Sequence, residues 1–165
     1  MNGDPRVMEF FPSALSRAES DAMIARAESH FEQHGFGPFA LELHATGELI
    51  GFAGLMVPSF DAHFTPCVEI GWRLVHEHWG KGYATEAALA VLQYGFEHRR
   101  LTEIVSFTTT SNARSRRVME KLGMTHNPAE DFAHPQLASA HPLSPHVLYR
   151  TSRARWQNKR DNMIS

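Results

Sequence analysis

Cysteine is nearly absent from this chain: Cys67 is the only one among 165 residues. An internal disulfide framework is therefore excluded, and a reducing compartment fits. A single cysteine can act as a nucleophile, but "TPCVEIGW" reads as a strand, where a small buried hydrophobe is the expected role. An excess of either charge is missing too. Lys and Arg number 16 against 18 Asp and Glu, for a net charge of −2 and a pI near 6.6. That balance leaves no basic surplus for nucleic-acid phosphates. No apolar run is long enough to cross a bilayer. The start, "MNGDPRVMEF", lacks the basic-then-apolar order of a signal peptide. At roughly 150 residues per domain, the chain is expected to form one soluble, cytoplasmic domain with a core that needs no staples.

What is present has a clear order. In "SRAESDAMIARAESHFEQHG", Ser16 and Glu19 form a capping box and Gly35 a stop. Between them Met23, Ile24, Ala27 and Phe31 make the apolar face of a helix. "FALELHATGELIGFAGLMV" reads as a β-hairpin turning at "ATGE", and Gly51 and Gly54 inside its second run signal a bulge or close packing. Residues 66–76, "PCVEIGWRLVH", read as a strand with Val68, Ile70, Trp72 and Leu74 on one face. Glu69, Gly71 and Arg73 take the other. After Gly82, "YATEAALAVLQYGFEH" is a helix, and "LTEIVSFTTT" is a strand rich in β-branched residues. Asn112 caps the helix "ARSRRVMEKL", which Gly123 ends. Residues 125–145, with their prolines and histidines, read as a long loop. "HVLYR" is a closing strand and 151–165 a polar tail. No repeat or linker interrupts the series, so the class is α/β or α+β with a mixed sheet.

"HWGKGYATEA", residues 78–87, sets two glycines at a strand-to-helix junction. There, backbone N–H groups and the helix dipole converge on one point, which suits a phosphate. The Walker pattern fails on spacing, and the dinucleotide pattern fails because Thr85 stands where its third glycine belongs. A P-loop hydrolase is thereby disfavoured. Alone, "GKG" serves equally well as a structural turn.

"VEIGWRLVHEHWGKGYATEA", followed by "NARSRRVMEKLGM", resembles the GNAT acetyltransferase superfamily, and more narrowly its RimJ/RimL branch of ribosomal-protein N-terminal acetyltransferases. The resemblance covers about residues 5–150. It implies a central, mostly antiparallel, twisted mixed sheet flanked by helices, with strands splayed where CoA lies and acetyl-CoA as co-substrate, without a metal. It also implies that His78, Trp79, Gly80, Lys81, Gly82, Tyr83 and Ala84 form the pyrophosphate loop. Leu74, Val75 and His76 would line the pantetheine, a backbone N–H there would polarise the thioester carbonyl, and Asn112 and Ser115 match the polar residues of the second motif. Three positions depart from the family. Glu77 stands where Gln or Arg is usual. Met119 replaces a tyrosine that protonates the departing thiolate, and a thioether has no proton to give. The segment "DPRVMEFFP" also begins at residue 4, so the sheet is expected to lack its first strand.

Acetylating an amine needs a base, since alkylamines are protonated at neutral pH. Glu69, on the strand leading to the glycines, is the first candidate; a carboxyl partly buried in a cleft has a raised pKa. The competing role is an ion pair with Arg73 or a neighbouring strand. Glu130 and Asp131 in the long loop rank below it. Ser115, Tyr83 or water would serve as acid. His30 and His34 lack a third metal ligand and are expected to be exposed helix residues. His76 and His78 suit contact with CoA better than metal, and His126, His134, His141 and His146 fall on the acceptor side. Trp72 is expected in the core and Trp79 packed beneath the loop. The expected activity is acetyl transfer from acetyl-CoA to a primary amine, on a protein N-terminus or a small molecule, by direct attack and without Cys67 as carrier. The alternative is a non-catalytic CoA-binding module. A homodimer is compatible with either.

Overall fold

The computed structural model describes residues 1–164, with side chains through residue 160. Residues 1–16 are turns, and no strand precedes the first helix among the described residues. Helix α1 (Arg17–His34) begins where the Ser16 hydroxyl accepts the Glu19 N–H at 3.2 Å and the Glu19 carboxylate accepts the Ser16 N–H at 2.7 Å. It ends at Gly35, whose φ of +71° is left-handed backbone that a glycine adopts without strain.

A seven-stranded sheet follows, flanked by four helices. The hairpin of β1 (Pro38–Glu42) and β2 (Leu49–Met56) is antiparallel, and its register shifts at Leu41/Glu42, where β2 carries the extra residue Ile50. Gly54 is required by close approach, because a Cβ there would lie 2.3 Å from Pro38 Cα and Gly37 O. Strand β3 (Glu69–Leu74) pairs antiparallel with β2 from Gly51 opposite Leu74 to Met56 opposite Glu69. Helix α2 (Tyr83–Gln93) runs on into a π-helical turn over Tyr94–His98. Strand β4 (Glu103–Thr109) returns parallel to β3, and helix α3 (Ala113–Leu122) is capped by Asn112 and stopped by Gly123.

The segment 125–145 is not an unbroken loop. It holds two short strands, β5 (Thr125–His126) and β6 (Phe132–Ala133), both paired to β7 (Pro145–Ser152). The order across the sheet is β1-β2-β3-β4-β7-β5, with β6 beside β7 and only the β3/β4 neighbours parallel.

The polar segment after β7 likewise departs from the expected tail: it forms helix α4 (Arg153–Ile164). Trp156 is its apolar anchor, buried with its ring 5.5 Å from that of Phe96. Arg153 and Arg155 donate to the carbonyls of Leu101 and Gly123, both at 2.9 Å.

Alternation along the strands divides the apolar residues. Ala53, Leu55, Ile70, Ile104, Val147 and Tyr149 join Leu92, Met119, Leu122 and Trp156 in the main core, on the side of α2, α3 and α4. The other side carries a smaller cluster of Phe64, Val105 and Leu148, with Phe60, Cys67, Phe107 and Phe132 around it. Cys67 is half-buried just ahead of β3, and burial raises its thiol pKa to about 11. Helix α1 buries no residue fully, and Ile24 is 54% exposed. Its apolar stripe borders a cleft instead of a core: Met23, Ile24, Ala27 and Phe31 are lining residues.

Candidate active site

The parallel neighbours β3 and β4 touch only at one end. Glu69 lies opposite Val105, Val105 N–H donates to Val68 O at 2.9 Å, and the Ser106 hydroxyl donates to Ile70 O at 2.9 Å. Beyond that point no register continues between them. A cleft of about 1770 Å³ occupies this region. Its lining draws on both faces of both strands: Ile70, Trp72 and Leu74 with Glu69 and Gly71 from β3, and Ser106 and Thr108 with Phe107 from β4. Side chains of one strand alternate in direction, so a single cleft meets both faces only where two strands part.

On the α2–α3 side sits the glycine turn. Gly80 has φ +74° and Gly82 φ +91°, and a Cβ at either would meet nothing within 4 Å. The glycines thus serve backbone conformation and leave open space before them. The backbone N–H groups of residues 80–84 donate to no backbone acceptor, as expected just before and within the first turn of a helix. Arg114, Arg117 and Lys121 line the same cleft from α3. His78 is buried; its Nε2 lies 3.1 Å from a Glu48 carboxylate oxygen, while its Nδ1 has no partner among the described residues. The Trp79 indole N–H donates to Leu74 O at 3.0 Å, with the Arg114 guanidinium 4.6 Å above its ring. Asn112 Oδ1 accepts the Ser115 N–H at 3.2 Å, and its amide donates to the Thr108 hydroxyl at 3.0 Å and the Ser115 hydroxyl at 3.2 Å.

On the opposite side lies Glu69. No hydrogen bond or ion pair engages its carboxyl among the described residues, and burial pushes its pKa up to about 8. The alternative partner, Arg73, is occupied elsewhere: it donates to Asn2 Oδ1 at 3.0 Å and sits 4.0 Å from the Phe11 ring centre. Burial lowers the Arg73 pKa to about 10. Glu130 and Asp131 do not line the cleft; they pair with Arg150 at 2.8 Å and His126 at 2.7 Å.

Of the residues singled out in the sequence, the cleft gathers Glu69, Leu74, His78, Trp79, Gly80, Gly82, Tyr83, Ala84, Asn112 and Ser115. Val75, His76 and Lys81 fall outside its lining. Glu77 turns away to pair with Arg6 at 3.0 Å. His30 is not an exposed helix residue: its Nε2 accepts the Val57 N–H at 2.9 Å and its Nδ1–H donates to Phe36 O at 2.7 Å, which ties α1 to the sheet. Sequence reasoning passed over Ser106, Phe60 and Phe107. The alternation of β4 gives a signal for Phe107 alone, which falls on the face that Glu69 shares; Phe60 lies outside the strands and has none.

The model of the acetyltransferase (GNAT) domain matches residues 1–125. A Bacillus subtilis protein named YkkB is 31% identical over 121 residues, 73% of this chain and 69% of that one. An Aspergillus fumigatus protein named FsC-acetyl coenzyme A-N(2)-transacetylase is 38% identical over 130 residues, 74% of this chain; the match spans 54% of the relative. Among solved structures, the aminoglycoside acetyltransferase AAC(6')-Ib in complex with coenzyme A superposes with a TM-score of 0.75 at 22% identity, covering 96% of this chain and 89% of that one.

Proposed function

The chain belongs to the GNAT acetyltransferase family, and from that premise we propose that it is an acetyl-CoA-dependent N-acetyltransferase acting on a primary amine. The observation that carries the reading is the cleft passing through the sheet where β3 and β4 part, with the glycine turn on one side and an unpaired carboxyl on the other. The residues suit the co-substrate. Open glycines and the cations Arg114, Arg117 and Lys121 suit its phosphates. Bound acetyl-CoA supplies an activated acyl carbon and a thiolate leaving group.

The amine attacks directly, and Glu69 takes its proton, with or without a bridging water. A carboxyl with a pKa near 8 is matched to that work at neutral pH. Cys67 carries no acyl group, since its thiol is held protonated at neutral pH. Proton return to the leaving thiolate falls to Ser115 or Tyr83, or to water; the buried Met119 has no proton to give. We place the chain in the RimJ/RimL branch on its two motifs, as one catalytic domain, with a small-molecule or peptide amine as acceptor. The aminoglycoside neighbour supports a small amine.

Met119 also favours a second reading, a CoA-binding module without turnover. Release of free thiol from acetyl-CoA, measured across a panel of amines and N-terminal peptides, separates the two. Acceptor-dependent release supports the transferase. Absence of release with every acceptor, while CoA binds, refutes it.

A further inference from the structure

The acceptor side of the cleft is built from rings. Phe60 and Phe107 lie 5.7 Å apart between centroids, Phe60 and His134 4.7 Å, and His134 and His146 4.9 Å. All four line the cleft. Phe107 follows Val105 by two residues on β4, so it projects from the same face as Glu69 and one step along, about 7 Å. His146 occupies that face on β7, opposite Thr109. The ring wall therefore adjoins the unpaired carboxyl.

Charge is sparse in the same region. The cleft lining contains two carboxylates, Glu69 and Glu28, and Glu28 is an exposed residue of α1. Of its cations, Arg114, Arg117 and Lys121 lie on the glycine-turn side and face the co-substrate's phosphates, which leaves Arg26 and Arg73 to disfavour a positively charged acceptor. Burial holds the His134 and His146 imidazoles below their usual pKa, so both are neutral at pH 7. The His146 Nδ1–H donates to Ser144 O at 3.0 Å, and His134 Nδ1 accepts the Gln136 N–H at 3.3 Å. An acceptor with several ammonium groups would leave all but one without a counter-charge, and an unpaired charge in an apolar site is costly. An apolar ring in that space gains by burial and by edge-to-face contact.

We propose that the acceptor is a primary monoamine carried on an apolar, ring-sized body, seated against Phe60, Phe107, His134 and His146 with its nitrogen toward Glu69. This rests on the acetyltransferase reading and adds the substrate class to it. Polyamines and aminoglycosides are excluded as preferred acceptors.

The test uses the full chain and three amines: phenethylamine, glycinamide and spermidine. Thiol release from acetyl-CoA should give a kcat/KM for phenethylamine at least tenfold above that for either other amine. Phe60→Leu and Phe107→Leu should shrink the phenethylamine-to-glycinamide ratio at least fivefold, through KM. A preference for spermidine, or equal loss on both amines in the variants, overturns the proposal. Binding of each amine to protein saturated with CoA is followed in parallel by tryptophan fluorescence. Should none of the three be acetylated, the transferase reading is judged on the wider acceptor panel, and the binding order alone decides the ring-bearing proposal. Phenethylamine tighter than spermidine supports the ring-bearing acceptor; the reverse order, or no binding of either, overturns it.

Discussion

Replacing Glu69 by Gln removes one ionisable proton at nearly constant shape, and two readouts should respond. The carboxyl pKa is displaced from 4.5 to about 8 by burial. Each unit corresponds to about 1.36 kcal/mol, so ionising Glu69 in place costs the fold at most about 5 kcal/mol relative to water. The side chain is half-buried in an open cleft, and solvent there reduces the effect; a stabilisation of about 1–2 kcal/mol by Glu69→Gln at pH 9 is expected. The sign follows from linkage. Between pH 4.5 and about 8 the folded chain holds a proton that the unfolded chain has released, so wild-type stability falls as pH rises through that window and levels above it. The amide has no such term. Urea melts at pH 5, 7 and 9 should therefore show variant and wild type alike at pH 5 and diverging upward in favour of the variant. In turnover the order inverts: the variant should lose about 100-fold or more in kcat/KM, the range of a general base. Wild-type kcat/KM should also rise towards a plateau above pH 8. A stability difference independent of pH would refute the buried, unpaired carboxyl. Full activity in the variant would refute its role as base.

Gly82→Ala meets no steric obstacle but forces φ +91° on a residue with a Cβ, a strain of about 1–2 kcal/mol. CoA affinity by calorimetry should fall about tenfold and the melting temperature by about 2–8 °C, and unchanged affinity would separate the turn from the ligand. His30→Ala leaves the Val57 N–H and Phe36 O without their partner and should cost about 1–3 kcal/mol in a urea titration. A change within error would mean that α1 is not held through this ring. Trp156→Ala removes the anchor of α4 against Phe96 and should cost about 3–5 kcal/mol in the same assay. A loss below about 1 kcal/mol would show α4 to be peripheral to folding.

Much of the architecture was legible in the residues because its signals are local. Ser16 with Glu19, Asn112, Gly35 and Gly123 act within one turn of their own helices, so spacing alone reveals the ends of α1 and α3. The alternation of Ile70, Trp72 and Leu74 against Glu69, Gly71 and Arg73 likewise predicts the two faces of β3. Helix α4 left no such trace. Among its described side chains it shows no apolar stripe; it is held by Trp156, by Arg153, Arg155 and Lys159 reaching carbonyls distant in sequence, and by Arg160 paired with Glu97. Strands β5 and β6 are two residues each, too short for any period, and exist because β7 offers them an edge.

For the candidate site, the division falls at the range of the forces. Chain-local rules decide that a glycine turn opens α2, that a carboxyl stands at the start of the strand leading to it, and that both resemble parts of one family of enzymes. Tertiary structure decides whether those parts face one space. Parting of β3 from β4 opens both sheet faces to a single cleft; diversion of Arg73 to Asn2 and Phe11 leaves Glu69 unpaired; and the meeting of Phe60, Phe107, His134 and His146 raises a ring wall from three separate stretches of chain. Each outcome turns on contacts between residues far apart in sequence, and such contacts leave no periodicity for a linear reading to detect.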